Sequence, residues 1–129
     1  MSERITGIYL AENDVAQTVR VEDDLQTYYD IIDCSCIDIV RRQIGNKMYA
    51  IVCDDEGLLT GKQFTIVYCE DDKWYQEIVG NVFICKSDDE GNLVSLDGSD
   101  VENIMNNTRT YINDCMIQQV IEINWKGVM

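Results

Sequence analysis

Short apolar runs separated by clusters of carboxylates constrain the fold of this chain more than any other feature. Four acidic triplets interrupt the apolar pattern and hold twelve of the 24 acidic residues. They are Glu22-Asp23-Asp24, Asp54-Asp55-Glu56, Glu70-Asp71-Asp72 and Asp88-Asp89-Glu90. Because each triplet stands where an apolar run breaks off, it predicts a turn or the start of a helix. The sequence therefore predicts many short elements, with the negative charge gathered between them.

The size and composition of the chain fit one folded domain over residues 1–129. Of its 129 residues, 46% are hydrophobic and 26% are charged, a balance that is ordinary for a protein with a single core. The net charge is -14. Since phosphate backbones and anionic membranes are bound through Lys and Arg, we expect neither direct nucleic-acid binding nor membrane binding. The chain contains no long apolar segment and no secretory signal at its start, which predicts a cytoplasmic protein.

Several patterns predict β-structure. Ile5 to Leu10 and Val15 to Val21 are apolar runs on either side of a polar break, as in a hairpin. Gly45-Asn46 is a two-residue turn signal between two further runs and predicts a second hairpin. Met116 to Trp125 alternates between apolar and polar residues, which predicts a late strand.

Two segments have helical spacing. Leu25, Tyr28 and Ile32 follow Asp23 and Asp24, either of which can cap a helix. A second helix is predicted after the Asp97 to Asp100 cap, with apolar residues from Val101 to Ile112. The predicted fold class is α+β, with a mostly antiparallel sheet of five to seven strands packed by two helices around Tyr28 and Ile104.

Three cysteines recur at intervals of sixteen residues, and each precedes an acidic triplet. They are Cys53, Cys69 and Cys85. An antiparallel meander uses about that many residues for an outward strand, a turn and a returning strand. All three acidic turns would then lie at one edge of the sheet and form a negative rim. The alternative is that strands often end at acidic turns and the spacing is accidental.

Catalytic and metal signatures are weak. The sequence has no histidine, which excludes Ser-His-Asp and Cys-His catalysis. Cys34 and Cys36 are predicted on one face of a strand, with a spacing that is not typical of a zinc knuckle. We expect the cysteines to be reduced and buried, and we expect no metal and no cofactor. The acidic triplets lack the ligand spacing of a calcium loop, and turn chemistry explains them better, with Gly57 and Gly91 at positions of positive φ.

One group of basic residues, the basic focus, lies in this otherwise acidic sequence. Arg41, Arg42 and Lys47 flank the Gly45-Asn46 turn and could bind a phosphate or a carboxylate. Successive strand residues point to opposite faces, so at most one of the two arginines can join Lys47 in a site. The alternative is that these are edge-strand charges that discourage association between sheets.

The order of motifs resembles a family of small phage and plasmid proteins known only as a domain of unknown function, DUF3846. The segments that carry the resemblance are Ile37-Asp38-Ile39-Val40, Ala50 to Gly57, Ile78 to Ile84 and Asp88 to Leu96. The match covers residues 5 to about 105 and departs from the family pattern after Gly61, where Phe64 to Tyr68 replaces a polar stretch. The resemblance implies an origin in a mobile element and brings no catalytic residues.

Two functions follow from charge and resemblance together. The first is a non-enzymatic acidic protein that inhibits a basic host defence protein, such as a nuclease, by imitating nucleic acid. Its partner-binding residues would be Asp54, Asp55, Glu56, Glu70, Asp71, Asp72, Asp88, Asp89 and Glu90. The alternative is a homo-oligomer that sequesters a nucleotide-like signal, with Arg41, Arg42 and Lys47, or Arg20, opposing the negative field.

Overall fold

The computed structural model describes residues 3–56, 63–114 and 116–124. The predictions for Gly57, Cys115 and Trp125 lie outside these residues. The strands are β1 (Arg4–Leu10), β2 (Gln17–Glu22), β3 (Ile37–Ile44), β4 (Lys47–Asp54), β5 (Phe64–Glu70), β6 (Lys73–Val79), β7 (Val82–Ser87), β8 (Leu93–Val94), β9 (Thr108–Asn113) and β10 (Met116–Ile123). The helices are α1 (Leu25–Ile32) and α2 (Gly98–Asn106). The α+β class, the mostly antiparallel pairing and the two helices agree with the sequence prediction.

The strands of the described chain form two sheets, whereas the sequence predicted a single one. The first sheet has the order β2-β1-β7-β4-β3, with β8 added to β7. The second has the order β6-β5-β10-β9, in which β5 and β10 are parallel and the other pairs are antiparallel. The β5–β6 hairpin leaves the first sheet to pair with β10, so β7 returns directly beside β4. The sixteen-residue cysteine spacing therefore does not describe one continuous meander.

Both predicted hairpins of the first half are confirmed. β1 pairs with β2 from Arg4 opposite Glu22 to Tyr9 opposite Gln17. β3 pairs with β4 across a two-residue turn, with Ile44 opposite Lys47. Gly45 takes a φ of 62° in this turn, and a Cβ there would overlap the amide of Asn103 on α2. Glycine is required at this position both by the backbone and by the close approach of the helix.

Each face of the first sheet covers a separate part of the core. On one face, Tyr28 and Ile32 of α1 pack with Ala50, Val52 and Phe83, and the rings of Tyr28 and Phe83 lie 6.0 Å apart. The other face packs against the second sheet and α2. Its buried residues include Ile8, Ile51, Ile84, Ile66, Ile121 and Ile104. The alternation of side chains along β4 and β7 supplies residues to both parts of the core.

The helices begin where the sequence predicts. Asp24 caps α1, with its carboxylate accepting the Thr27 N–H at 2.8 Å. Asp97 caps α2 within a capping box that also involves Asp100. Within the described part of the chain, no helix is long and apolar enough to cross a membrane.

The predicted end of the second helix is wrong. α2 stops at Asn106, and Tyr111 and Ile112 belong to β9, which pairs with β10. Apolar residues at helical spacing are present here, but Thr108, Thr110 and Ile112 are β-branched and favour a strand once β10 is available as a partner.

The prediction for Cys34 and Cys36 is also wrong in part. β3 begins at Ile37, so both cysteines precede the strand and do not share a strand face. Cys36 is exposed and Cys34 and Cys69 are half-buried, whereas Cys53 and Cys85 are buried as predicted. The described cysteines are free thiols.

Candidate functional site

The predicted negative rim is wrong, because the acidic triplets lie at different ends of the molecule. β4 and β7 are antiparallel neighbours, with Val52 opposite Phe83. Asp54 at the end of β4 and Asp88 after the end of β7 therefore lie at opposite ends of the first sheet. The β1 pairings place Glu22 at the same end as Asp88. The Glu70 triplet lies at the β5–β6 turn of the second sheet.

The carboxylates at the turns have local structural roles. Asp71 and Asp72 take φ angles of 53° and 63° at the centre of the β5–β6 turn, a left-handed conformation that Asp tolerates better than most residues. Asp88 Oδ1 accepts the N–H groups of Glu90 and Asn92 at 2.9 and 2.8 Å. Gly91 takes a φ of 86°, as predicted. Turn formation therefore explains much of the Glu70 and Asp88 triplets.

The Asp54 triplet lines a cavity in the described part of the chain. This cavity, the acidic cleft, has a volume of about 370 Å³. Its lining residues are Asp38, Val40, Arg42, Cys53, Asp54, Asp55, Glu56, Glu77, Ile78 and Val79. It lies between the β3–β4 hairpin of the first sheet and the end of β6 in the second. Five carboxylates and one guanidinium therefore line the cleft, together with apolar side chains.

Strand register explains why these residues meet. Asp38 lies opposite Cys53 in the β3–β4 pair, so both side chains project from the same face. Asp54 ends β4 and accepts the Glu56 N–H through Oδ1 at 2.9 Å, which turns the chain at the mouth of the cleft. The backbone N–H of Asp55 donates to the carbonyl of Cys36 at 3.1 Å. This bond joins the triplet to the segment before β3.

An ion pair between Arg42 and Glu77 joins the two sheets at the cleft. Arg42 donates to Glu77 Oε1 through Nη2 at 2.7 Å and through Nε at 3.0 Å. The Glu77 side chain is 8% exposed and that of Arg42 is 17% exposed. Both contacts go to one carboxylate oxygen in a largely dry position, so the guanidinium is committed to Glu77. The lining of the cleft therefore carries more negative than positive charge.

Desolvation and nearby carboxylates raise the pKa of two thiols at the cleft, Cys53 and Cys36. Burial raises the pKa of Cys53 to about 12, and the charge of Asp38 adds to the increase while Arg42 opposes it. Desolvation, followed by the charges of Asp55 and Glu56, raises the pKa of Cys36, whose sulfur lies 3.9 Å from Asp55 Oδ2. Both thiols therefore stay protonated at neutral pH, which makes them poor nucleophiles and poor metal ligands.

The arrangement is suited to holding an organic cation. Carboxylates beside an apolar wall match a guanidinium or ammonium group on an aliphatic stem. Among residues 3–56, 63–114 and 116–124, no three Cys, Asp or Glu side chains come together in a geometry that could hold a metal ion. The cleft carboxylates are spread along a surface and do not converge on one point.

A second group of charged side chains, the Asp100 cluster, lies at the start of α2, where the sequence predicted only a helix cap. It consists of Asp100 with Lys86, Lys47 and Tyr49. Asp100 is 0% exposed and accepts from Lys86 at 2.7 Å, Lys47 at 3.3 Å and the Tyr49 hydroxyl at 3.2 Å. Burial alone would raise the pKa of Asp100, but the Asp97 N–H and the two ammonium groups lower it strongly overall. This cluster is internally satisfied and fastens α2 to the first sheet.

The basic focus does not form an anion site. Arg41 pairs with Ala50, and Arg42 pairs with Tyr49, so the two arginines project from opposite faces of β3 as predicted. Arg42 is held by Glu77 and Lys47 by Asp100. Lys47 also lines a shallow polar depression with Ser99 and Glu102. The three cations do not converge on one point.

Two residues of the cleft were missed by sequence reasoning. Asp38 and Glu77 are single charges inside apolar strand runs, Ile37 to Val40 and Trp74 to Val79. An isolated charge in such a run indicates that the side chain has a partner or lines a cavity, since an unpaired buried charge is costly. The isolated charges were visible in the sequence. The packing of the second sheet against β3, which brings Glu77 to Arg42, could not be read from local patterns.

Comparison with known proteins identifies a family and nothing more specific. The profile of Domain of unknown function (DUF3846) matches residues 5–109. No curated protein and no solved structure matches the chain.

Proposed function

The chain belongs to the DUF3846 family, and from that premise we propose that it is a non-enzymatic binding protein whose acidic cleft holds a cationic segment of a partner protein. The observation that carries the proposal is the composition of the cleft, in which five carboxylates face one guanidinium. Glu77 already neutralises Arg42. The exposed carboxylates of Asp38, Asp55 and Glu56 therefore give the described lining of the cleft a negative field.

The chemistry of the cleft favours binding over catalysis. Its thiols are driven toward the protonated form, and Glu77 is committed to an ion pair. Asp38, Asp55 and Glu56 are exposed, which suits them to meet a cation from solvent. Val40, Ile78 and Val79 supply apolar contact for the stem of an arginine or lysine. A cavity of about 370 Å³ admits one such side chain together with part of its backbone.

The proposed partner is a basic host protein that binds nucleic acid, such as a nuclease or another defence protein, and the proposed place of action is the cytoplasm. The resemblance to phage and plasmid proteins supports this choice, together with the net charge of -14. In this proposal the partner is held by the cleft and by long-range attraction. A continuous row of carboxylates that imitates phosphates has no part in it, because the triplets are dispersed.

A cationic peptide tests the cleft directly. The probe is a labelled hexa-arginine peptide, and its binding is measured by fluorescence anisotropy at low salt. The cleft variant carries Asp54→Asn, Asp55→Asn and Glu56→Gln. We expect it to bind the probe about tenfold more weakly, equivalent to about 1.4 kcal/mol.

A matched control removes the same charge elsewhere. Glu70→Gln, Asp71→Asn and Asp72→Asn also delete three carboxylates, and Asn keeps the left-handed turn conformation accessible. We expect this variant to lose less than about twofold in affinity, since it changes only the distant field. Equal losses in the two variants would mean that the probe responds to net charge alone, and the cleft would not be the site.

Capture of a natural partner extends the test. The wild-type protein, the cleft variant and the control variant are each used as bait in host lysate at low ionic strength, with elution by salt. The proposal requires a basic protein that is retained by the wild type and the control but not by the cleft variant. Retention by all three baits would count against the cleft.

A further inference from the structure

The free edge of β9 is the least protected strand edge of the described structure, and we infer that it pairs with the same edge of a second copy of this chain. Apart from the two-residue strand β8, the two sheets expose four edge strands, which are β2, β3, β6 and β9. No described strand pairs with the outer side of β9. Exposed backbone N–H and C=O groups on such an edge form a template for another strand.

The other three edges carry the features that discourage pairing. Charged residues on them are Arg20 and Glu22 on β2, Asp38, Arg41 and Arg42 on β3, and Lys73 and Glu77 on β6. The β5–β6 pair also has irregular register near Phe64 and Ile66. Charges and bulges on edge strands oppose association between sheets. β9 carries one charged residue, Arg109, and it forms an ion pair with Glu122 of β10.

Exposed apolar side chains occur on β3 and β6 as well, but the most exposed one of the described chain lies on β9. Ile112 is 77% exposed, and Tyr111 on β9 and Met116 and Ile117 on β10 are also exposed. Ile112 lies opposite Ile117 in the hairpin, so these two side chains form one apolar surface. Leaving such a surface in water is unfavourable, and covering it supplies a driving force for association.

Charge explains why a second copy fits this edge. Two copies of a chain with a net charge of -14 repel one another wherever carboxylates meet. Residues 108–112 and 116–121 contain no carboxylate. The single cation, Arg109, is turned across the sheet face, 3.3 Å from Glu122 and 5.0 Å from the Trp74 ring centroid. Asp114, in the turn after β9, is the nearest carboxylate in sequence, and β9 itself carries no negative charge.

A two-fold axis beside β9 would pair the two β9 strands antiparallel and join the two four-stranded sheets into one of eight strands. This inference is independent of the proposed function, because the acidic cleft, between the β3–β4 hairpin and the end of β6, shares no residue with β9. Where both hold, the dimer presents two clefts and can bind a partner with two cationic segments more tightly than a monomer does.

Analytical ultracentrifugation of the full chain over a range of concentrations tests the inference. We expect a reversible dimer that dissociates at least tenfold more readily in Ile112→Lys and in Tyr111→Lys. Leu25→Lys adds the same charge at another exposed apolar residue, on α1, and should leave the dimer unchanged. Because Ile112 and Tyr111 are exposed in the monomer, circular dichroism should show both variants folded.

Dimerisation through β9 and peptide binding at the cleft should respond to salt in opposite directions. Salt screens the repulsion between two anionic copies, so the dimer should tighten as salt rises, whereas binding of the hexa-arginine probe should weaken. A wild-type chain that stays monomeric at all concentrations overturns the inference. A dimer that tolerates both β9 substitutions overturns it as well, since another surface would then hold the copies together.

Discussion

The acidic cleft and the Asp100 cluster use the same side-chain chemistry for opposite purposes. Asp100 is fully buried and is met by two lysines, a tyrosine hydroxyl and a backbone N–H. The cleft gathers five carboxylates at a surface and holds one guanidinium, which is already bound to Glu77. In the cluster the negative charge is satisfied within the molecule. Among the described residues that line the cleft, five carboxylates stand against one guanidinium.

This difference shows where a strongly acidic protein can place its charge. A carboxylate with internal partners contributes to folding and has little left to offer a ligand. Carboxylates in excess at a cavity cost some stability through mutual repulsion but attract cations from solvent. We therefore expect substitutions in the Asp100 cluster to change stability and substitutions in the cleft to change binding.

The largest expected effect on stability comes from Asp100→Ala. This change removes the α2 capping box and leaves Lys86 and Lys47 without their shared carboxylate. We expect the free energy of unfolding to fall by about 3 kcal/mol, less than for a fully buried ion pair because both lysines can regain water. Urea denaturation measures the change.

Asp89→Ala is the control for that measurement. Asp89 is exposed in the β7–β8 turn, and its loss should change the free energy of unfolding by less than about 0.5 kcal/mol. If the two variants lost similar stability, Asp100 would not have the structural role assigned to it.

The free energy of unfolding should depend on pH through the carboxylates whose pKa is lowered in the folded state. The pKa of Asp100 lies below its ordinary value of 3.8, since the Asp97 N–H, Lys86 and Lys47 together outweigh the opposing effect of burial. The Asn92 N–H lowers the pKa of Asp88, and the Ser99 hydroxyl lowers that of Asp97. A lowered folded-state pKa means that the ionised form favours folding. This stabilisation is present above about pH 4 and is lost as the pH falls through the folded-state values.

The expected result is a free energy of unfolding that decreases as the pH falls below about 4. Asp100→Asn removes one of the contributing groups, so the variant should start less stable and lose less on acidification. Chemical denaturation at a series of pH values measures both slopes. Parallel slopes for wild type and variant would contradict the ionised state assigned to Asp100.

The smallest expected effect on stability comes from the cleft. In the cleft variant with Asp54→Asn, Asp55→Asn and Glu56→Gln, the side-chain amide introduced at position 54 can still accept the N–H of residue 56, and repulsion between the carboxylates is relieved. We expect a change of less than about 0.5 kcal/mol in the free energy of unfolding. A loss of several kcal/mol would place these residues with the Asp100 cluster instead.

Local patterns were sufficient for much of the fold. Asp24 was predicted as one of two candidate caps of the first helix, and Asp97 as part of the segment that caps the second. The Gly45-Asn46 turn predicted the β3–β4 hairpin. These features depend on residues close in sequence. The fold class, both helix starts and the late strand β10 followed from them.

Features that depend on distant pairing could not be predicted in this way. The β5–β6 hairpin joins the second sheet because β10, some fifty residues later, offers it a partner. Asp54 and Asp88 lie at opposite ends because β7 pairs antiparallel with β4, and each triplet lies at or just after the end of its strand. Asp38 meets the Asp54 triplet through the β3–β4 register, whereas Glu77 reaches the cleft only because the second sheet packs there, which local patterns do not show.

Nuclear magnetic resonance with the hexa-arginine peptide tests the central claim most directly. Backbone amide signals of the ¹⁵N-labelled protein are followed during titration at low salt. The account predicts that the largest shifts fall on the cleft, at Asp38, residues 53–56 and residues 77–79. The Glu70 and Asp88 triplets serve as internal references of similar charge. Shifts of equal size at all of the acidic triplets would contradict the account, because attraction would then follow net charge and not the cleft.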